Sequence, residues 1–231
     1  MAPLRRRRDP ACVDQQRKRR IGVRPVWVAL GASVLLAGDL IEAIEPPGPL
    51  VPGAACRTNI AVVDEAGMED SQMRIVIREV DRIWAREGVG FSWVHDTPSG
   101  EGALTVIIQQ GTLNKGGAPL AGWRHVLGSI PVSGGQVLSR ISVSLGTVRS
   151  LLADALVQGR PLSQRPVRLR QELEAQALGR VVAHEIGHYR LGSYGHTATG
   201  LMRAVFSTEE LIDRAMSRFW LGGTPAPRGC T

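Results

Sequence analysis

Apolar positions along the chain fall into short β-branched runs and longer helical patterns, in an order that predicts an α+β domain. Residues 58–63 (TNIAVV) read as a strand, closed by the turn Asp64-Glu65-Ala66-Gly67. Over 69–87, Met73, Val76, Ile77, Val80, Ile83 and Trp84 recur at helical spacing, and Gly88 supplies a stop. Strands are expected at 89–94 and 103–109, with a loop at 97–100. The stretch 111–138 is rich in glycine and has weak strand character around 126–132, which fits an irregular hairpin or sheet edge. Residues 140–145 alternate like a half-buried strand, and 147–157 carry a helical pattern that ends at Gly159 and Pro161. A long helix is predicted over 168–191, with Leu169, Leu173, Ala177, Val181, Ala183 and Ile186 on its buried face. A last helix is predicted over 208–220, with Ser207 as its N-cap.

The long helix carries His184-Glu185-Ile186-Gly187-His188. Histidines at i and i+4 lie one above the other on a helical face, close enough to grip one metal ion. Glu185 is one residue off that face and can reach a water on the metal without being a ligand. Two imidazoles on Zn2+ with a carboxylate general base beside them is the logic of a metalloprotease. Gly187 is costly inside a helix but leaves room near the site. Gly192 is a natural helix terminator, and His196 follows four residues later. A catalytic zinc takes three protein ligands and keeps one position open. His196 can be the third if the chain reverses at Gly192. Glu209 and Glu210, 21 and 22 residues past His188, are the rivals.

These residues, followed by Thr199-Gly200-Leu201-Met202, resemble a zincin-type zinc metallopeptidase, closest to the metzincin arrangement. They also resemble bacterial predicted peptidases that carry HExGH, a Leu-Gly pair, a later histidine and a Gly-x-Met segment. The likeness covers roughly residues 58–220, with its motif confined to 184–203. It implies a zincin-like fold, with a twisted mixed sheet and a long active-site helix. It further implies His184, His188 and His196 as zinc ligands, Glu185 as the base and Met202 as the residue of a methionine turn. Metzincins place the glycine three and the third histidine six residues after the second histidine. Here Gly192 and His196 fall four and eight residues after it. Met202 can equally be a core residue. Tyr194 can serve a tetrahedral oxyanion or simply pack. His95 and His125 belong to no pattern and read as structural or surface residues.

Charge changes the picture only at the start of the chain. The formal net charge is +7, and residues 1–24 hold nine basic and two acidic side chains. The remaining residues carry 19 of each sign, so the body is neutral and its charge points to no nucleic-acid partner. The basic segment (1–25) precedes thirteen uncharged, mainly apolar residues, 26–38. That is shorter than the roughly 20 of a spanning helix and within the about 7–15 of a signal-peptide core. Residues 26–45 therefore read as an export signal or an uncleaved membrane anchor, 46–55 as a proline-rich linker, and 56–231 as the metallopeptidase domain. A nucleic-acid arm fits less well, because aromatics are not interleaved with the basic residues. In an exported chain Cys56 and Cys230 can pair or remain two separate thiols. The expectation is a monomer acting outside the cytoplasm on a peptide or protein substrate, held to a membrane only through its N-terminal segment. The alternative is a non-catalytic zincin-like zinc-binding domain at the cell surface.

Overall fold

The computed structural model describes residues 56–95, 103–111, 113 and 126–221. The segment 1–55, the loop 97–100, His125 and Cys230 lie outside the described residues, as do the expectations placed on them. In chain order the elements are β1 (Cys56–Asp64), α1 (Asp70–Ala85), β2 (Val89–His95), β3 (Leu104–Gln109), β4 (Gly128–Ser129), β5 (Val132–Ser133), β6 (Gln136–Val137), β7 (Arg140–Ser144), α2 (Leu145–Leu152), β8 (Leu156–Val157), β9 (Arg160–Pro161), α3 (Val167–Leu191) and α4 (Thr208–Ile212).

Five of the strands form one mixed sheet in the order β2-β1-β3-β7-β4. β1 pairs in parallel with β2 and β3, and β3 in parallel with β7. The short β4 runs antiparallel to β7, with Gly128 opposite Val143 and Ser129 opposite Ser142. The central strands are β-branched and apolar. Ile60, Val62, Leu104, Val106, Ile108, Ile141 and Val143 are all buried in one core with the apolar face of α1. The turn after β1 is tied by Asp64, whose carboxylate accepts from the backbone N–H of Ala66, Gly67 and Met68. Such a local carboxylate cap is the reason this aspartate suits a strand end.

The long helix α3 is buried on every side from Ala177 to His188. A helix can run through a core only if its neighbours come close, and small residues allow that. At Gly179 a Cβ would lie 2.8 Å from Cβ of Glu79 and 2.9 Å from the Val76 carbonyl oxygen, both on α1. One residue on, Arg180 is buried and pairs with Glu79 at 2.8 Å. Its guanidinium also donates to the carbonyls of Glu210 and Asp213 and lies 4.3 Å from the centroid of the Phe219 ring. The Trp84 indole N–H reaches the Ala183 carbonyl at 3.2 Å. α1 and the C-terminal segment are thus fastened to α3 immediately before the histidine motif.

Two elements differ from the sequence expectation. The pattern over 147–157 is helical only as far as Leu152, and β8 and β9 then form a hairpin. Gln158 and Gly159 both have positive φ, 50° and 78°, so turn geometry prevails over the apolar spacing. The expected helix over 208–220 stops at Ile212. Arg180 takes the Glu210 and Asp213 carbonyls, which a continuing helix would need for its next turns. The irregular hairpin or edge expected over 111–138 appears, among the described residues, as the edge strand β4 followed by the β5–β6 hairpin with Gly134 and Gly135 at its turn.

Removing Glu79 would leave the buried Arg180 without its counter-ion. Glu79→Ala is expected to lose about 3–5 kcal/mol of stability in urea unfolding. A loss below about 1 kcal/mol would show that the backbone carbonyls alone satisfy the guanidinium.

Candidate metal centre

α3 sets His184 and His188 one turn apart, buried, with Glu185 between them at 6% exposure. The helix ends at Gly192, whose φ of 57° and ψ of 31° are the left-handed values of a glycine cap. Ser193 N–H then returns to the His188 carbonyl, and Gly195 N–H to Ser193 Oγ. The chain doubles back so that Thr197 N–H donates to the Met202 carbonyl at 2.9 Å, around a turn at Thr199 and Gly200. Of the two residues by which this connection exceeds the metzincin spacing, one lies before the Gly192 cap and one between Gly192 and His196. His196 stands at its near end, with its ring 5.4 Å from that of His184 and 4.9 Å from that of His188, centroid to centroid. One nitrogen from each of the three rings lies within 4.8 Å of the other two.

The ring orientations are set by backbone carbonyls of the same loop. His184 Nδ1 lies 2.7 Å from the Leu201 oxygen, and His188 Nδ1 2.7 Å from the Ser193 oxygen. A carbonyl only accepts, so each Nδ1 carries the proton and each Nε2 of a neutral ring carries a lone pair. Those two Nε2 atoms face each other at 3.1 Å. Two lone pairs cannot share a hydrogen bond, whereas a cation between them turns the repulsion into coordination. Nitrogens about 2.0–2.1 Å from a tetrahedral zinc sit roughly 3.3–3.4 Å apart, close to what is seen. Burial holds His184 down to a pKa of about 4; the Leu201 hydrogen bond works in the opposite direction, and His188 and His196 add to the depression. At neutral pH His184 is therefore an uncharged imidazole with a free Nε2 lone pair. The donor set and its geometry fit zinc.

Met202 lies under the motif at 1% exposure. A Cβ on Gly187 would be 2.2 Å from its Sδ and 3.0 Å from its Cε. The room that the sequence reading expected at Gly187 is filled by the methionine thioether. On another side the ring of Phe206 meets His184 edge-on at 5.9 Å and stacks on Phe219 at 5.3 Å.

The other candidates are placed elsewhere. Glu210 is paired with Arg203 at 3.0 Å and Arg218 at 2.7 Å, and its carboxylate also caps α4 at Ser207 N–H. The Arg203 hydrogen bond is the main cause of its pKa falling to about 2, with Ser207 and Arg218 lowering it further and burial opposing. Neither Glu209 nor Glu210 belongs to the cluster of three imidazoles. Tyr194 is 68% exposed, and His95 is exposed at the end of β2. Sequence reasoning missed Gly128, Glu79, Arg180 and the carbonyls of Ser193 and Leu201. Arg180, a cation on an apolar helix four residues before His184, offered a signal. The backbone acceptors offered none.

Among solved structures, the chain is similar to archaemetzincin from Methanopyrus kandleri. The two share 17% identity over 75% of this chain and 93% of that one, with a TM-score of 0.45. No family model and no curated protein matches the chain. A likeness this distant assigns no activity, so the functional reading rests on the residues just described.

Gly187→Ala gains about 1 kcal/mol of helix propensity and forces the Met202 thioether aside. The variant should be about 1–2 kcal/mol less stable than wild type in urea, because overpacking at this separation outweighs propensity. In a Met202→Ala background the same substitution should become neutral or stabilising; an unchanged loss there would remove Met202 as the cause. A second expectation concerns Glu210. Its folded pKa lies below the unfolded value of 4.5, so its stabilisation is complete above that pH and is lost as pH falls toward about 2. The stability gap between wild type and Glu210→Gln should close across that window, and a gap independent of pH would contradict the ion pairs.

Proposed function

We propose that the chain is a zinc-dependent peptidase of the zincin type, with zinc held by His184, His188 and His196 and Glu185 acting as general base. The observation that carries this reading is the facing pair of unprotonated Nε2 atoms, with a third imidazole converging on them and a buried carboxylate next in sequence. Zinc, when bound there, supplies a Lewis acid that polarises a peptide carbonyl and acidifies a nearby water. Glu185 takes the proton of the attacking water. As the carbon–nitrogen bond breaks, it passes that proton to the leaving amine. The buried setting favours this role, since a carboxylate shielded from bulk solvent acts on the one water beside it. His196 is the third ligand in this reading because it converges with the other two rings, while Arg203 and Arg218 occupy Glu210. The substrate is a peptide or protein, and the enzyme acts outside the cytoplasm as a monomer, delivered by residues 1–45. That delivery rests on the sequence pattern alone, and N-terminal sequencing of the mature chain checks it. Among the described residues, no helix is long and apolar enough to cross a membrane.

Metal analysis and hydrolysis of labelled casein test the reading together. The purified chain should hold one zinc, and His184→Ala, His188→Ala and His196→Ala should each lose it. Glu209→Ala/Glu210→Ala should keep it. Glu185→Gln should retain zinc while turnover falls by about 100-fold or more. Undiminished hydrolysis by Glu185→Gln overturns the mechanism. Zinc retained without any hydrolysis by the wild type would favour a non-catalytic zinc-binding domain. Zinc lost only in the double glutamate variant would move the third ligand to α4.

A further inference from the structure

Glycine is required at a position either by its backbone conformation or by the space around it. Gly128, on the edge strand β4, is not among the residues with positive φ. Its surroundings are what exclude a side chain. A Cβ there would lie 2.6 Å from Oε1 of Glu185, 2.8 Å from its Cγ and 2.9 Å from Cγ1 of Val181. Real Cβ contacts do not come this close, so one of the partners would have to move. Val181 and Glu185 are one helical turn apart and present the same face of α3 to the strand. The strand itself is pinned from behind. Gly128 and Ser129 pair with β7, and Ser144 N–H donates to the Leu127 carbonyl at 2.9 Å. The softest element in the contact is therefore the Glu185 side chain, whose carboxylate is the group the reaction depends on.

We propose that Gly128 is a positioning residue for Glu185: the bare backbone of β4 is the wall against which the carboxylate is held in its working place. This rests on the peptidase reading above for its consequence in turnover, but not for the contact itself. Gly128 has no side chain to react, and it acts through the position of Glu185. A methyl group at 128 pushes the carboxylate off its position and leaves His184 and His188, whose ring orientations come from the Leu201 and Ser193 carbonyls, as they are. Displacements of about 1 Å in a catalytic group can cost on the order of 100-fold in rate.

The test uses the full-length zinc-loaded protein with two independent readouts. In thermal unfolding, Gly128→Ala should lower Tm in the wild-type background and have a clearly smaller effect in the Glu185→Ala background, where the two closest clashing atoms are gone and only the Val181 contact remains. Equal losses in both backgrounds overturn the proposal. In casein hydrolysis, Gly128→Ala should lower kcat by at least about tenfold with KM within about twofold and zinc stoichiometry unchanged. The Val181→Ala background removes the other contact. A kcat loss that persists there supports action through Glu185, and full recovery of kcat there overturns it. If the wild-type protein hydrolyses no peptide, the peptidase reading fails, while the Tm comparison still decides whether Gly128 positions Glu185.

Discussion

Close approach to α3 is the constraint on which the rest of the structure depends. The helix is surrounded by protein along its second half, and three faces are opened by a missing side chain. Gly179 admits α1, Gly187 admits Met202, and Gly128, on the opposing strand, admits Glu185. Each contact brings backbone or a single side chain within a distance that a methyl group would forbid. The apolar core then packs around a helix whose buried polar residues, Arg180, His184, Glu185, His188 and Arg190, lie in its second half.

Electrostatics divides along the same helix. Towards its N-terminal side, Arg180 is a buried cation that is fully employed by Glu79, two carbonyls and an aromatic ring. One turn later stands the His184 imidazole, kept neutral chiefly by desolvation. A permanent cation that close to a metal site would oppose binding unless compensated, and the Glu79 carboxylate provides the compensation. The Arg180 clamp also explains why α4 is short, since the carbonyls it uses are those a longer helix would have spent on itself. The same link therefore shapes both the C-terminal segment and the charge balance beneath the site.

Local periodicity made part of this legible in the sequence. The spacing of His184 and His188 on a helix is a local property, and so is the glycine stop at Gly192; neither needs the rest of the chain. The position of His196 depends on the path taken after Gly192, so sequence left Glu209 and Glu210 as competitors, and the ion pairs of Glu210 with Arg203 and Arg218 are contacts it did not express. The end of α4 was out of reach for the same reason, because it is decided by a side chain some thirty residues upstream. Gly128 lay in a glycine-rich stretch where no one glycine stands out. Its significance is a distance across the fold between a strand edge and a helix. What sequence expressed poorly were the contacts made across space by backbone atoms: two carbonyls, one Cα and the turn at Gln158 and Gly159.

The burial of the three imidazoles is uneven, with His184 and His188 inside and His196 at the surface. The inner pair is held by the Leu201 and Ser193 carbonyls, so in the proposed zinc reading two of the three ring positions are set by the fold's own hydrogen bonds. Chelation should then empty the site and leave the domain folded, unlike small zinc modules in which removal of the ion unfolds the chain. Ion exchange would proceed through the outward side, with the exposed ring the first to release and the last to close.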